Sequence, residues 1–131
     1  MQKNSSASKT QTKKLLLIED DVMLVNMYKA KFVNEGYEIE SATDGKNGLA
    51  LVPQVNPDLV ILDLMLPRLS GIEVLEELKK DEKLKNIPVV VLTNLSEEKE
   101  TQKALELGAD GYLVKADLTP SQLVEKIKEY I

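Results

Sequence analysis

The sequence predicts an α/β fold: one parallel, doubly wound sheet of five strands with helices on both faces. Three observations carry that expectation. Strand-like and helix-like segments alternate five times over residues 13–131 of a 131-residue chain. The third, fourth and fifth strand segments are nearly continuous apolar runs, as strands covered on both faces are. The segments between them repeat apolar residues at the spacing of one helix face.

The first twelve residues (MQKNSSASKTQT) are polar and read as a disordered tail, leaving residues 13–131 as one domain. Residues 13–18 (KKLLLI) are a buried strand. The helix over 22–35 places Leu24, Val25, Tyr28 and Phe32 near one face, with Asp21 as its cap and Gly36 at its end. Residues 37–42 alternate apolar and polar, the pattern of a half-exposed strand at a sheet edge. Asp44 caps a short helix expected to stop near Val52, before a loop bracketed by Pro53 and Pro57. Leu59–Asp63 is the third strand, residues 67–71 a turn, and residues 72–80 a helix with Val74, Leu75 and Leu78 inward. Val89–Thr93 is the fourth strand. Ser96 is the expected cap of a helix running to Leu107, whose acids at 97–100 read as a solvated face, with Gly108 ending it. Residues 111–115 (GYLVK) are the fifth strand. Thr119-Pro120-Ser121-Gln122 is a capping box with proline at the first helical position, opening a helix striped by Leu123, Val124 and Ile127.

Composition narrows the function classes. Hydrophobic residues make up 43% and charged residues 30%, ordinary for a globular protein, and the formal net charge is -5. An acidic chain lacks the basic footprint that nucleic acid or an anionic membrane requires. There is no cysteine and no histidine, which excludes disulfides, thiolate or imidazole metal sites and histidine acid/base chemistry within the chain. The absence of cysteine fits the expected cytoplasmic setting. No apolar run approaches the roughly 18 residues of a membrane helix.

In an open parallel sheet, sites form beyond the carboxyl ends of the strands. Strand one ends in Glu19-Asp20-Asp21, strand three in Asp63, strand four in Thr93-Asn94 and strand five in Lys115. Two carboxylates about 4 Å apart repel by about 4 kcal/mol at an effective dielectric near 20, so such a group calls for a cation or protons. An all-oxygen donor set suits a hard divalent ion, above all Mg²⁺. The matching chemistry is phosphoryl transfer to a carboxylate, with Thr93 and Lys115 holding phosphoryl oxygens.

At this point the sequence resembles the receiver domain of bacterial two-component response regulators. The segments LLLIEDD, DLVILDLMLPRLSG, VVVLTN and GYLVK carry the resemblance, in that order. It implies a flavodoxin-like sheet of strand order 2-1-3-4-5, with Asp63 as phosphoacceptor. It further implies a Mg²⁺ site (Mn²⁺ as substitute) of Asp20, Asp63, the backbone carbonyl of Met65, and Glu19 through water. Thr93, Asn94 and Lys115 would bind the phosphoryl group, and Thr93 with Tyr112 would form a switch. The implied donor is a histidine kinase or phosphotransfer protein. The implied readout is a changed surface on the fourth helix, fifth strand and fifth helix, read by a downstream protein or an output domain. The chain would be a monomer or a weak phosphorylation-dependent dimer, and a stand-alone regulator or a piece of a longer one.

The sequence also departs from the family. Ala116 stands where a proline behind a cis bond is usual, and a cis non-proline bond costs about 2.5–4 kcal/mol. Asn94 occupies a position that is usually small. Met65 and Leu95 are apolar where the family tunes dephosphorylation, so no fast loss of the phosphoryl group is expected. Two other readings compete. An aspartate-nucleophile phosphohydrolase would want an acid where Met65 stands. A degenerate receiver that only binds protein would not need the full set of acids, Thr93 and Lys115. For Tyr112, packing in the core competes with the switch role.

Overall fold

The computed structural model describes residues 12–131; the expected tail lies outside the described residues except for Thr12. Five parallel strands, β1 (Lys14–Ile18), β2 (Glu38–Ala42), β3 (Leu59–Asp63), β4 (Val89–Thr93) and β5 (Gly111–Val114), form one sheet in the order 2-1-3-4-5. The helices are α1 (Val22–Asn34), α2 (Gly45–Val55), α3 (Gly71–Lys80), α4 (Glu98–Glu106) and α5 (Pro120–Lys128). Strand order reverses at β1, which pairs with β2 on one side and β3 on the other. That reversal opens the crevice at the carboxyl ends of β1 and β3.

Alternation along each strand divides the core into two layers. Leu15 and Leu17 of β1 face α1 and α5, packing with Val25, Phe32, Leu123 and Ile127. Leu16 and Ile18 face the opposite way, packing with Val52, Val74, Leu78 and Ala104 of α2, α3 and α4. All five residues of β3 and all five of β4 are buried, as expected of apolar runs covered on both faces. β2 alternates as an edge strand should. β5 does not follow its apolar composition: it forms the other edge, with only Leu113 buried.

Local signals place most boundaries. Asp21 caps α1 by accepting from the Met23 and Leu24 N–H groups. The Thr119 box forms as expected, with Pro120 at the helix start. Four details differ. Pro53 sits inside α2 instead of ending it. The lost Leu49 partner is tolerated because Val52 is fully buried beside it and the helix closes one turn later at Asn56, left-handed with φ 52°. Gly71 starts α3 behind a Ser70–Glu73 capping box. Ser96 does not cap α4; Asn94 and Glu97 cap a short 3-10 turn, Leu95–Glu97, that precedes it. Lys115 lies not in β5 but in the following 3-10 turn, Lys115–Asp117. The described residues contain no cis peptide, so Lys115–Ala116 is trans.

Candidate functional site

The crevice is a cleft of about 560 Å³ whose walls include Asp20, Asp63, Met65, Asn94 and Lys115. β1 carries Glu19 to its rim. The Glu19 N–H donates to the Ala42 carbonyl of β2 at 3.0 Å, which extends the ladder one residue and turns the acid side chain inward. Glu19 is fully buried. One of its oxygens accepts from the Asp21 N–H at 3.0 Å. The other lies 2.7 Å from the Lys115 Nζ but receives no well-directed hydrogen bond. Asp20, next along the chain, is exposed.

β3 delivers Asp63, 2% exposed, to the same point. Its Oδ1 accepts from the Met65 N–H at 3.2 Å, and its Oδ2 from the Lys115 Nζ at 3.0 Å. The turn after it is held tightly. The Gly71 N–H donates to the Leu64 carbonyl at 2.9 Å, and a Cβ at Gly71 would overlap the Asp63 carbonyl oxygen and Leu64 Cα. Only glycine lets α3 start this close to the strand end.

These charges shift one another. Burial and the nearby Glu19 raise the Asp63 carboxyl to about 7, with Lys115 pulling it back. Burial opposes the Lys115 ammonium, but Glu19 and Asp63 outweigh it and push Lys115 up to about 12. Burial, then Glu19, also raises the phenol of Tyr28, which lines the cleft from α1. Sequence reasoning placed Tyr28 in the core and missed this second exposure to the site; nothing in the periodicity distinguishes the two.

Carboxylate oxygens of Glu19, Asp20 and Asp63 come within 4.8 Å of one another. The donor set is all oxygen, and one buried Glu19 oxygen lacks a directed partner. Both features fit a hard divalent cation.

Thr93 and Tyr112 lie on the far side. Thr93 is buried but lines a second hollow of about 260 Å³ with Leu105, Tyr112 and Val114, between α4 and β5. Tyr112 is 48% exposed, so it is not the core tyrosine that the competing reading required. Asn94 borders both the cleft and the hollow. Its amide nitrogen donates to Glu97 at 2.9 Å. Glu97 is buried, not part of a solvated face. A capping-box spacing from Asn94 to Glu97 was present in the sequence; the stronger-looking Ser96 obscured it.

A doubly wound 2-1-3-4-5 sheet with buried acids and an ammonium at its switch point defines the receiver class. The chain belongs to the response regulator receiver domain family, whose model matches residues 15–128. It is 38% identical over 102 residues to the DNA-binding dual master transcriptional regulator RpaA of Synechocystis sp., covering 78% of this chain and 42% of that protein. It is 36% identical over 121 residues to a probable transcriptional regulator ycf27 of Porphyridium aerugineum, covering 92% and 49%. The chain thus spans about half the length of these curated relatives. Among solved structures, chemotaxis response regulator CheY4 of Vibrio cholerae matches at TM-score 0.84 and 27% identity, covering 92% of this chain and 99% of that one. The phosphorylated cyanobacterial phytochrome response regulator RcpA matches at TM-score 0.77 and 33% identity, with 91% of each chain covered. Receiver domains are signalling modules that bind Mg²⁺ at an acidic pocket, and the acidic cluster here is of that kind. Among the described residues no helix is long and apolar enough to cross a membrane.

Proposed function

We propose that this chain is a phosphorylation-switched receiver in which Asp63 accepts a phosphoryl group from the phosphohistidine of a partner histidine kinase or phosphotransfer protein. The observation that carries the reading is the buried Asp63 carboxylate beside Glu19, with one oxygen held by Lys115 and the other by the Met65 N–H. An Asp63 oxygen attacks phosphorus, the phosphorus–nitrogen bond breaks, and its electron pair leaves with the donor imidazole.

Each residue has a distinct task. The Met65 N–H and Lys115 orient the nucleophile. Lys115 is then placed to pair with the new phosphoryl oxygens. Asp20, Asp63, Glu19 through water and the Met65 carbonyl would hold Mg²⁺, with Mn²⁺ able to replace it. When bound, the ion supplies positive charge against the acids and the transferring group. Thr93 and the Asn94 backbone move toward the phosphoryl group, and Tyr112 turns into the hollow that Thr93 borders. The surface of α4, β5 and α5 changes and regulates a downstream partner or output domain.

Turnover is disfavoured. The side chain two residues beyond Asp63 is the apolar Met65, which offers no acid or base, and Leu95 likewise orients no water. Spontaneous dephosphorylation is therefore slow, and the chain is not a phosphohydrolase.

Intact-mass measurement with acetyl phosphate and Mg²⁺ tests the reading. Wild type gains one phosphoryl mass and Asp63→Ala gains none. Absence of the gain in wild type, or its persistence in Asp63→Ala, overturns it.

A further inference from the structure

Glu97 is a buried acid that no step above employs. It is 6% exposed, and among the described residues no cation pairs with it within ion-pair distance. Both of its carboxylate oxygens are spent on one neighbour. Oε1 accepts from the Asn94 backbone N–H at 3.2 Å and Oε2 from the Asn94 Nδ2 at 2.9 Å. The link is reciprocal, since the Glu97 N–H donates to the Asn94 carbonyl at 3.0 Å. Thr101, one turn into α4, fixes Glu97 in turn by donating its hydroxyl to the Glu97 carbonyl at 2.8 Å. An ordinary cap of an exposed turn needs no burial. Here the clasp ties Asn94, the wall shared by the catalytic cleft and the hollow under Tyr112, to the start of α4.

Asn94 directly follows Thr93. A backbone shift of Thr93 toward Asp63 carries the Asn94 N–H with it, and that N–H is held by a carboxylate. Hydrogen bonds to a charged acceptor are among the stronger ones, and a buried carboxylate left without donors is costly. The clasp therefore favours the conformation in which Thr93 borders the hollow.

We propose that Glu97 is a positioning residue that acts through Asn94 to hold Thr93 in its resting place, and so sets the threshold for switching. The proposal rests on the phosphorylation reading above and deepens it. Breaking the clasp raises the population of the switched conformer in the unphosphorylated protein, on the order of tenfold for loss of both hydrogen bonds.

The test follows backbone amide resonances of Thr93, Leu95 and Tyr112 in wild type, Glu97→Ala and Asn94→Ala, each with and without acetyl phosphate and Mg²⁺, with intact mass read on the same samples. Asn94→Ala alters an exposed side chain and keeps the fold if Glu97→Ala does not. In the unphosphorylated variants the three resonances should move part of the way toward their phosphorylated wild-type positions, further in Glu97→Ala than in Asn94→Ala. The double variant should move less than the sum of the two, because one residue acts through the other. A merely structural role would loosen α4 without movement along that line. If all samples gain the phosphoryl mass but the unphosphorylated variants keep wild-type resonances, the clasp fails and the phosphorylation reading stands. If wild type gains no mass, both fall.

Discussion

The two walls of the cleft are built on different terms. On the acid side, the buried Glu19 and Asp63 and the half-buried Lys115 are interlocked at 2.7 and 3.0 Å, and backed by β1, buried over Leu15–Ile18, and the fully buried β3. On the switch side, Asn94 stands between the cleft and a hollow of about 260 Å³ that Thr93 also lines, beside an edge strand and the half-exposed Tyr112. The first arrangement suits a group that must hold its geometry while charge arrives. The second has the loose packing that lets a side chain change places. The contrast teaches that a single parallel sheet packs closely at its centre and openly at its edge, and that Asp63 and Thr93, on adjacent strands, join the two.

Perturbations should separate the walls by size of effect. Asp63→Ala removes the phosphoryl mass gain entirely, whereas Tyr112→Ala keeps it and loses only the response of the α4–β5 surface; equal loss in both would erase the distinction. Lys115→Ala leaves two buried acids without their cation. Its cost in metal-free protein at pH 8 should be about 3–5 kcal/mol by denaturant titration, since breaking a buried pair strands a charge. Saturating Mg²⁺ should restore part of it.

Asp63→Asn should act in the opposite direction. The carboxyl is raised from 3.8 to about 7 in the fold, so the native state holds more protons than the unfolded chain across that window. The contribution of Asp63 to wild-type stability therefore falls as pH rises from about 4 to about 7. The asparagine variant lacks that slope. Its gain over wild type without metal should be a few kcal/mol at pH 8, since each tenfold change in proton affinity is worth about 1.4 kcal/mol, and smaller at pH 5. Equal gains at the two pH values would show that Asp63 is not held protonated by its surroundings.

Mg²⁺ should stabilise wild type by about 2.7 kcal/mol at a hundred times its dissociation constant. Asp20→Ala should diminish this, and an unchanged response would remove Asp20 from the ion's ligands. The smallest stability change belongs to the switch side: Tyr112→Ala should fall within about 1 kcal/mol of wild type, because half of the ring is already in water. A larger loss would mean that β5 is as firmly built as β3.

Much of the acid side was legible in the chain. The residues that end β1 and β3 are acids after apolar runs, and a parallel sheet sends strand ends to a common rim. Less of the switch side was legible. Ser96 offered a familiar cap and Glu97 a solvated charge, yet the structure buries Glu97 against Asn94. Pro53 read as a helix terminator and lies within α2, where burial of Val52 outweighs the missing hydrogen bond. GYLVK read as a buried strand, and its position at the sheet edge leaves Tyr112 half exposed.

By itself the sequence determined the alternation of elements, the inward stripes, most caps and the identity of the groups at the rim. These follow from periodicity and local hydrogen bonding, which act over a few residues. Tertiary structure alone decided which acid is buried and which is exposed, that Lys115 pairs with both Glu19 and Asp63, and that Asn94 divides two hollows. Those outcomes depend on burial and charge among residues from 19 to 115, and such couplings exist only once the strands are side by side.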